Sequence, residues 1–149
     1  MRLDELAVGE VVAERDVHLT RASLVAYADA SGDQNPIHQD EAVAKAVGLP
    51  GVIAHGMLTM GLAVQPVVDW LGALDPAESA ETGPRILEYG VRFTRMVLVD
   101  ADSGADVHIV AKVGAIDAEA DTARIDLAVT SGDETVLGKA QVLVGRSAD

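Results

Sequence analysis

Residues 55–72 read HGMLTMGLAVQPVVDWLG, and their apolar side chains fall on nearly every face of a helix. The run is long enough for roughly five turns at about 3.6 residues each. A helix that is apolar all round implies one surrounded by protein, so the rest of the chain has to supply the wrapping. Pro66 lies inside it, and its ring removes a hydrogen bond and crowds the preceding turn, so a kink is expected there. The core has to be aliphatic, because the chain holds one Trp, one Phe and two Tyr. With 149 residues, 49% hydrophobic and 23% charged, the chain reads as one globular domain over residues 1–149.

The texture changes near residue 84. Before it, apolar residues recur at helical spacing; after it, they alternate with polar ones. ILEYGVRFTRMVLV, DVHIVAKVGAID, ARIDLAVTS and ETVLGKAQVLVG read as strands, separated by the turn signals DSGAD, DAEAD and SGDE. With a short strand over EVVAERDVH (residues 10–18), this predicts an antiparallel sheet of about five strands. A long apolar helix followed by hairpins means a sheet that wraps the helix. The class is α+β, and the hot-dog fold is the best-known form of that arrangement. Thr20 is placed to cap a helix running through Ala30, with Leu24, Tyr27 and Ala28 on one face. Asp40 can cap a second, short helix, EAVAKAV, which Gly48 would end.

Between those two helices lies SGDQNPIHQD, which sets Asp33 and His38 on either side of a stiff turn. Pro36 fixes its own φ and drives Asn35 into an extended conformation. A carboxylate and an imidazole converging on one water divide the work of proton transfer, since an imidazole titrates near neutral pH. The plainer alternative is a turn aspartate beside a surface histidine. Gly56 stands where the apolar helix begins, and the first turn of a helix exposes unpaired N–H groups and the positive end of the dipole. A glycine there admits a ligand oxygen close to the backbone, as an oxyanion hole requires. Equally, it could serve only to ease packing. A zinc site from His38, Asp40 and His55 is a further alternative.

The net charge of −13 argues against a nucleic-acid partner and against an anionic membrane surface. No cysteine is present, which removes disulfides, a thiol nucleophile and cysteine-based zinc sites. MRLDELAVGE carries acidic residues where a signal peptide needs an apolar run, and residues 46–68 are interrupted by His55, Pro50, Pro66 and glycines. The expectation is a cytoplasmic protein.

Two motifs carry a resemblance. YADASGDQNPIHQDEAVA is similar to the signature of the MaoC-like, or hydratase 2, family, which runs Gly-Asp-x-Asn-Pro-aliphatic-His, and AHGM downstream resembles the family's other hallmark. The likeness covers residues 20–99, with YGVRFTRMVLV similar to the family's strand after the helix. Within the family the chain looks most like the catalytic subunits of actinobacterial (3R)-hydroxyacyl-ACP dehydratases. The resemblance implies a hot-dog domain that hydrates trans-2-enoyl thioesters to (3R)-hydroxyacyl thioesters and runs the reverse dehydration. Asp33 and His38 match the catalytic dyad, Gly56 the backbone donor to the thioester carbonyl, and Asn35 the residue that braces the loop. Two positions depart from the pattern. Ala30 is a minor change, whereas Val64 falls where some short-chain members carry a polar residue, which leaves chain length open. The implied substrate is an acyl-CoA or acyl-ACP, with no metal and no cofactor beyond the carrier's phosphopantetheine. Arg92 and Arg95, with Arg85 nearby, are the candidate contacts for its phosphates, although strand arginines are also commonly just solvated. A homodimer, or a heterodimer with a related hot-dog subunit, is expected. The rival functions are a hot-dog thioesterase and a non-catalytic acyl-binding or structural subunit. The depth of the acyl tunnel would depend on Leu58, Leu62, Val64 and the loop over 73–84.

Overall fold

A computed structural model describes residues 3–74 and 83–146. The chain opens with a single helical turn at Leu3–Glu5 and passes into strand β1, Val11–Leu19. Helix α1, Arg21–Ser31, begins at Thr20 with a reciprocal cap: the Thr20 hydroxyl accepts from the Ser23 N–H, and the Ser23 hydroxyl accepts from the Thr20 N–H. Helix α2, Glu41–Ala46, starts at Asp40, whose carboxylate accepts from the Val43 N–H. Both caps are the ones expected from sequence. Helix α3, Gly56–Leu74, is one continuous helix that contains Pro66. Strands β2, Arg85–Phe93, β3, Ala105–Asp117, β4, Thr122–Ser131, and β5, Glu134–Gly145, complete the chain.

The five strands form one antiparallel sheet in the order β1-β3-β4-β5-β2. Its inward face shows the period-two burial that the sequence predicts. Ile109, Ala111 and Val113 on β3 alternate with more exposed neighbours, as do Ala123, Ile125, Leu127 and Val129 on β4. Helix α3 crosses this face, packing against β1, β2, β3 and β4. This is the hot-dog arrangement. The buried stripe on α3 is Thr59, Ala63, the adjacent pair Pro66 and Val67, and Leu71, one helical face with steps of three to four residues.

Two expectations need correction. The sheet wraps α3 as expected but covers only one side of it: Met57 is 61% exposed and Val68 42%, so the protein cover expected on every face is not supplied by this chain alone. By length and composition alone this helix could cross a membrane, yet its buried stripe lies against the sheet. The alternation over ILEYGVRFTRMVLV does not make one strand either. β2 stops at Phe93, and residues 94–99 leave the sheet. The Thr94 and Arg95 N–H groups both turn to the Val136 oxygen, after which Val97 and Val99 pair with Ala54 and Val52. The hydrophobic alternation persists because Val97 and Val99 still face the core, although their hydrogen-bonding partner has changed. The expected determinant of tunnel depth over 73–84 falls mostly outside the described residues.

Tyr89 ties the edge strand to the helix. Its hydroxyl donates to the Met60 oxygen on α3 at 2.8 Å, and burial pushes the phenol up to about 12. A raised folded-state value means that the neutral phenol is the form folding favours. Its contribution is complete below the unfolded value near 10 and is lost as pH rises through about 12. Replacing Tyr89 by Phe should lower stability by about 1 kcal/mol at pH 8, the usual worth of one such hydrogen bond. The gap in Tm between wild type and Tyr89→Phe, measured by circular dichroism from pH 8 to 12, should narrow above pH 10. A gap that stays constant would mean that the phenol is not the linked group.

Candidate active site

Helix α1 ends because Gly32 takes the left-handed conformation, φ 80°, and its N–H returns to the Ala28 oxygen at 2.9 Å. The chain then turns at Asp33, whose Oδ1 accepts from the Asn35 N–H at 3.2 Å. Asn35 has ψ 121°, as a residue before proline should, and its own Oδ1 accepts from the Ile37 N–H. Pro36–His38 forms one 3-10 turn, which leaves His38 7% exposed. The rigid loop expected from SGDQNPIH is therefore built from its own side chains. Asn35 is taken up in bracing it and does not line the cavity described below.

The loop is clamped to residues 53–55, the segment that leads into α3. His38 Nδ1 lies 2.7 Å from the Ile53 oxygen; a carbonyl only accepts, so Nδ1 carries the hydrogen and Nε2 is the nitrogen left for chemistry. The Ile53 N–H donates to the Ile37 oxygen, and His55 Nε2 lies 3.1 Å from the Asp33 oxygen. From the other side, Ala54 and Val52 pair with Val97 and Val99. Arg21 secures this frame: its Nε donates to the Val99 oxygen at 2.6 Å, and its guanidinium meets Glu41. Arg21 and then Lys45 hold the Glu41 carboxyl below the usual carboxylate range.

A cavity of about 260 Å³ opens beside this frame, lined by His38, Gly56, Thr59, Phe93 and Arg95 among others. Gly56 is the first residue of α3, and the first hydrogen bond within the helix runs from Thr59 N–H to the His55 oxygen. The N–H groups of Gly56, Met57 and Leu58 thus have no acceptor inside the helix, at its positive end. A Cβ on Gly56 would lie 3.0 Å from the Phe93 ring, so glycine permits the close approach seen there. Thr59 is 4% exposed, and its hydroxyl donates to the His55 oxygen at 3.4 Å, along one wall of the cavity.

Asp33, His38 and His55 each offer one atom within 4.8 Å of the others. That separation lets a single water hydrogen-bond to both the Asp33 carboxylate and the His38 ring. The zinc alternative is assembled differently from the sequence expectation, because Asp40 is occupied in capping α2 and Asp33 takes its place. The two imidazoles stack with centroids 3.8 Å apart and planes 25° from parallel. Rings so nearly parallel do not aim both lone pairs at one ion about 2 Å from each nitrogen.

Of the arginines considered in the sequence, Arg95 lines the cavity, 3.8 Å from Glu134, whereas Arg85 and Arg92 lie exposed on β2 away from it. Phe93 and Thr59 were missed in the sequence. Thr59 sits on the buried stripe of α3, and Phe93 ends β2, so each looks like an ordinary structural residue until the cavity is seen.

The family model described as "MaoC like domain" matches residues 5–131. The 3-hydroxyacyl-thioester dehydratase X of Mycobacterium tuberculosis (strain ATCC 25618 / H37Rv) is 35% identical over 88 residues, 59% of this chain and 27% of that protein. The enoyl-CoA hydratase ChsH3 of the same organism is 42% identical over 62 residues, 42% of this chain and 19% of that protein. This chain spans roughly a quarter or less of the length of these curated relatives. Among solved structures, a MaoC-like dehydratase superimposes with a TM-score of 0.86 and 36% identity, over 98% of this chain and 42% of the other. The motif around Asp33 and His38, the sheet order and the matched family model agree, and the chain belongs to the MaoC-like domain family.

Proposed function

We propose that this chain adds water to trans-2-enoyl thioesters to give (3R)-hydroxyacyl thioesters, and catalyses the reverse dehydration, with the acyl group carried on CoA or ACP. The observation that carries this reading is the placement of Asp33 and His38 within 4.8 Å of one another, beside a cavity that the first turn of α3 also lines. The relatives named as a hydratase and a dehydratase support the same reaction in its two directions.

Asp33 orients the water, and His38 Nε2 takes one of its protons as the oxygen bonds to C3. As the C2=C3 π bond breaks, the proton taken from water is returned to C2, so H and OH add across the double bond and the addition is redox-neutral. Negative charge gathers on the thioester oxygen as C2 becomes carbanionic. The Gly56 N–H and the helix dipole stabilise it there, at a point where such donors are each worth about 2.7–4 kcal/mol. Arg95, at the cavity, is the better placed of the arginines to meet an anionic carrier arm.

A second unit of the same fold completes the assembly in this proposal. The exposed half of α3 and exposed Phe93, Met96 and Leu98 give it an apolar surface to cover. The 42% coverage of the MaoC-like dehydratase leaves room in that chain for another domain of this size.

The test is loss of the conjugated-thioester absorbance of crotonyl-CoA and of a longer enoyl-CoA, with free thiol followed in parallel. Asp33→Asn and His38→Gln should each lower kcat by about 10²–10⁴, the range for a lost acid–base group. Free thiol released by wild type, with no hydration, would establish thioester cleavage in place of hydration. Gly56→Ala should lower kcat/KM at least ~10-fold, with Tm nearly unchanged, because the added methyl meets Phe93 where the substrate oxygen has to approach. Wild-type kcat/KM in this variant would place the oxyanion site elsewhere.

A further inference from the structure

The proposed reaction uses Asp33 and His38 and leaves His55 without a task. His55 is 2% exposed, buried more deeply than His38. Its Nδ1 is buried with no hydrogen-bond partner among the described residues. Such an atom costs free energy to bury, and an apolar side chain would fill the space without that cost. The contacts His55 does make are all directed at the dyad or its setting. Its Nε2–H donates to the Asp33 main-chain oxygen at 3.1 Å, and its ring stacks on His38 at 3.8 Å. Tyr27 from α1 meets it edge-on, 4.8 Å between centroids and 61° between planes.

The two histidines exchange hydrogen bonds between segments. His38, in the loop, donates to the oxygen of Ile53; His55, two residues further on, donates back to the oxygen of Asp33. Cutting either bond frees one member of the dyad from the segment that leads into α3. We propose that His55 is a positioning residue: it holds the Asp33 backbone through Nε2–H and seats the His38 ring, so that both dyad members keep one geometry relative to Gly56. This inference rests on the hydration reading for the reaction it serves. The contacts themselves stand without it.

The experiment compares His55→Phe, which keeps a ring but loses the donor, with His55→Gln, which keeps a donor but loses the ring. Each variant is assayed for kcat and KM with an enoyl-CoA, for Tm, and for the imidazole nitrogen resonances of His38 by NMR in the absence of substrate. His55→Phe should lower kcat by about 10–100-fold with KM within about threefold, since a displacement near 1 Å costs that much. His38 resonances should shift or broaden in the same variant, and His55→Gln should retain more activity than His55→Phe. If His55→Phe does not fold, His55→Leu, also without a donor, takes its place. A folded donorless variant with wild-type kcat and an unmoved His38 spectrum would overturn the positioning role. Inactive wild type would refute the hydratase reading instead, and the His38 spectrum would then decide this inference by itself.

Discussion

Three backbone hydrogen bonds hold residues 52–54 between two other pieces of chain: on one side the Ala54 N–H donates to the Val97 oxygen and the Val99 N–H to the Val52 oxygen, and on the other the Ile53 N–H donates to the Ile37 oxygen. This short segment, buried at Val52 and Ala54, is the part of the structure on which the site depends. It fixes the start of α3, receives the His38 N–H, and presents His55 to the Asp33 oxygen. The sheet supplies the far anchor, because residues 97–99 reach this segment only by leaving β5 after Val136. Had β2 run on through Val99, the sheet would be longer and the cavity would lose its wall.

The loop over residues 31–38 is stiff for a different reason. Its shape is written into adjacent residues, and three polar side chains each satisfy a neighbouring N–H: Ser31 serves Asp33, Asp33 serves Asn35, and Asn35 serves Ile37. A loop constructed this way needs few long-range contacts to keep its form, and it docks as a unit. The long-range hydrogen bonds it does have come from the two histidines and from the Ile53 N–H on the Ile37 oxygen, so the rigidity is local while the placement is tertiary.

That division explains what could be seen in the sequence. Thr20, Asp40, Asn35 and Pro36 act on residues within a few positions of themselves, and their roles were legible. The alternation of β3, β4 and β5 was equally legible, because burial on one face of a sheet imposes period two. The end of β2 was not, since an apolar–polar alternation is blind to which strand it pairs with. The same limit applies to α3. Its all-round apolar surface reports that the helix avoids water, but not whether the cover comes from its own chain. His55 was read first as a possible ligand. Its donation to a carbonyl some twenty residues back in sequence and its stacking on His38 have no sequence pattern at all.

The exposed half of α3 bears on the chemistry as well as on the packing. Gly56, Phe93 and Arg95 line the cavity, yet all three are exposed in the single chain, as is Asp33 beside it. Charge stabilisation by a helix N-terminus is weak against bulk water and grows as water is excluded, because the effective dielectric falls. A second folded unit covering Met57, Phe93 and Met96 would therefore do two things in one step. It would bury the apolar surface that this chain leaves open, and it would strengthen the interaction between α3 and a thioester oxygen. On that argument assembly and catalysis are not separate properties of the fold. A change that weakens the apolar contact around Met57 and Met96 should also lower kcat, even though neither side chain takes part in the proton transfers assigned to Asp33 and His38.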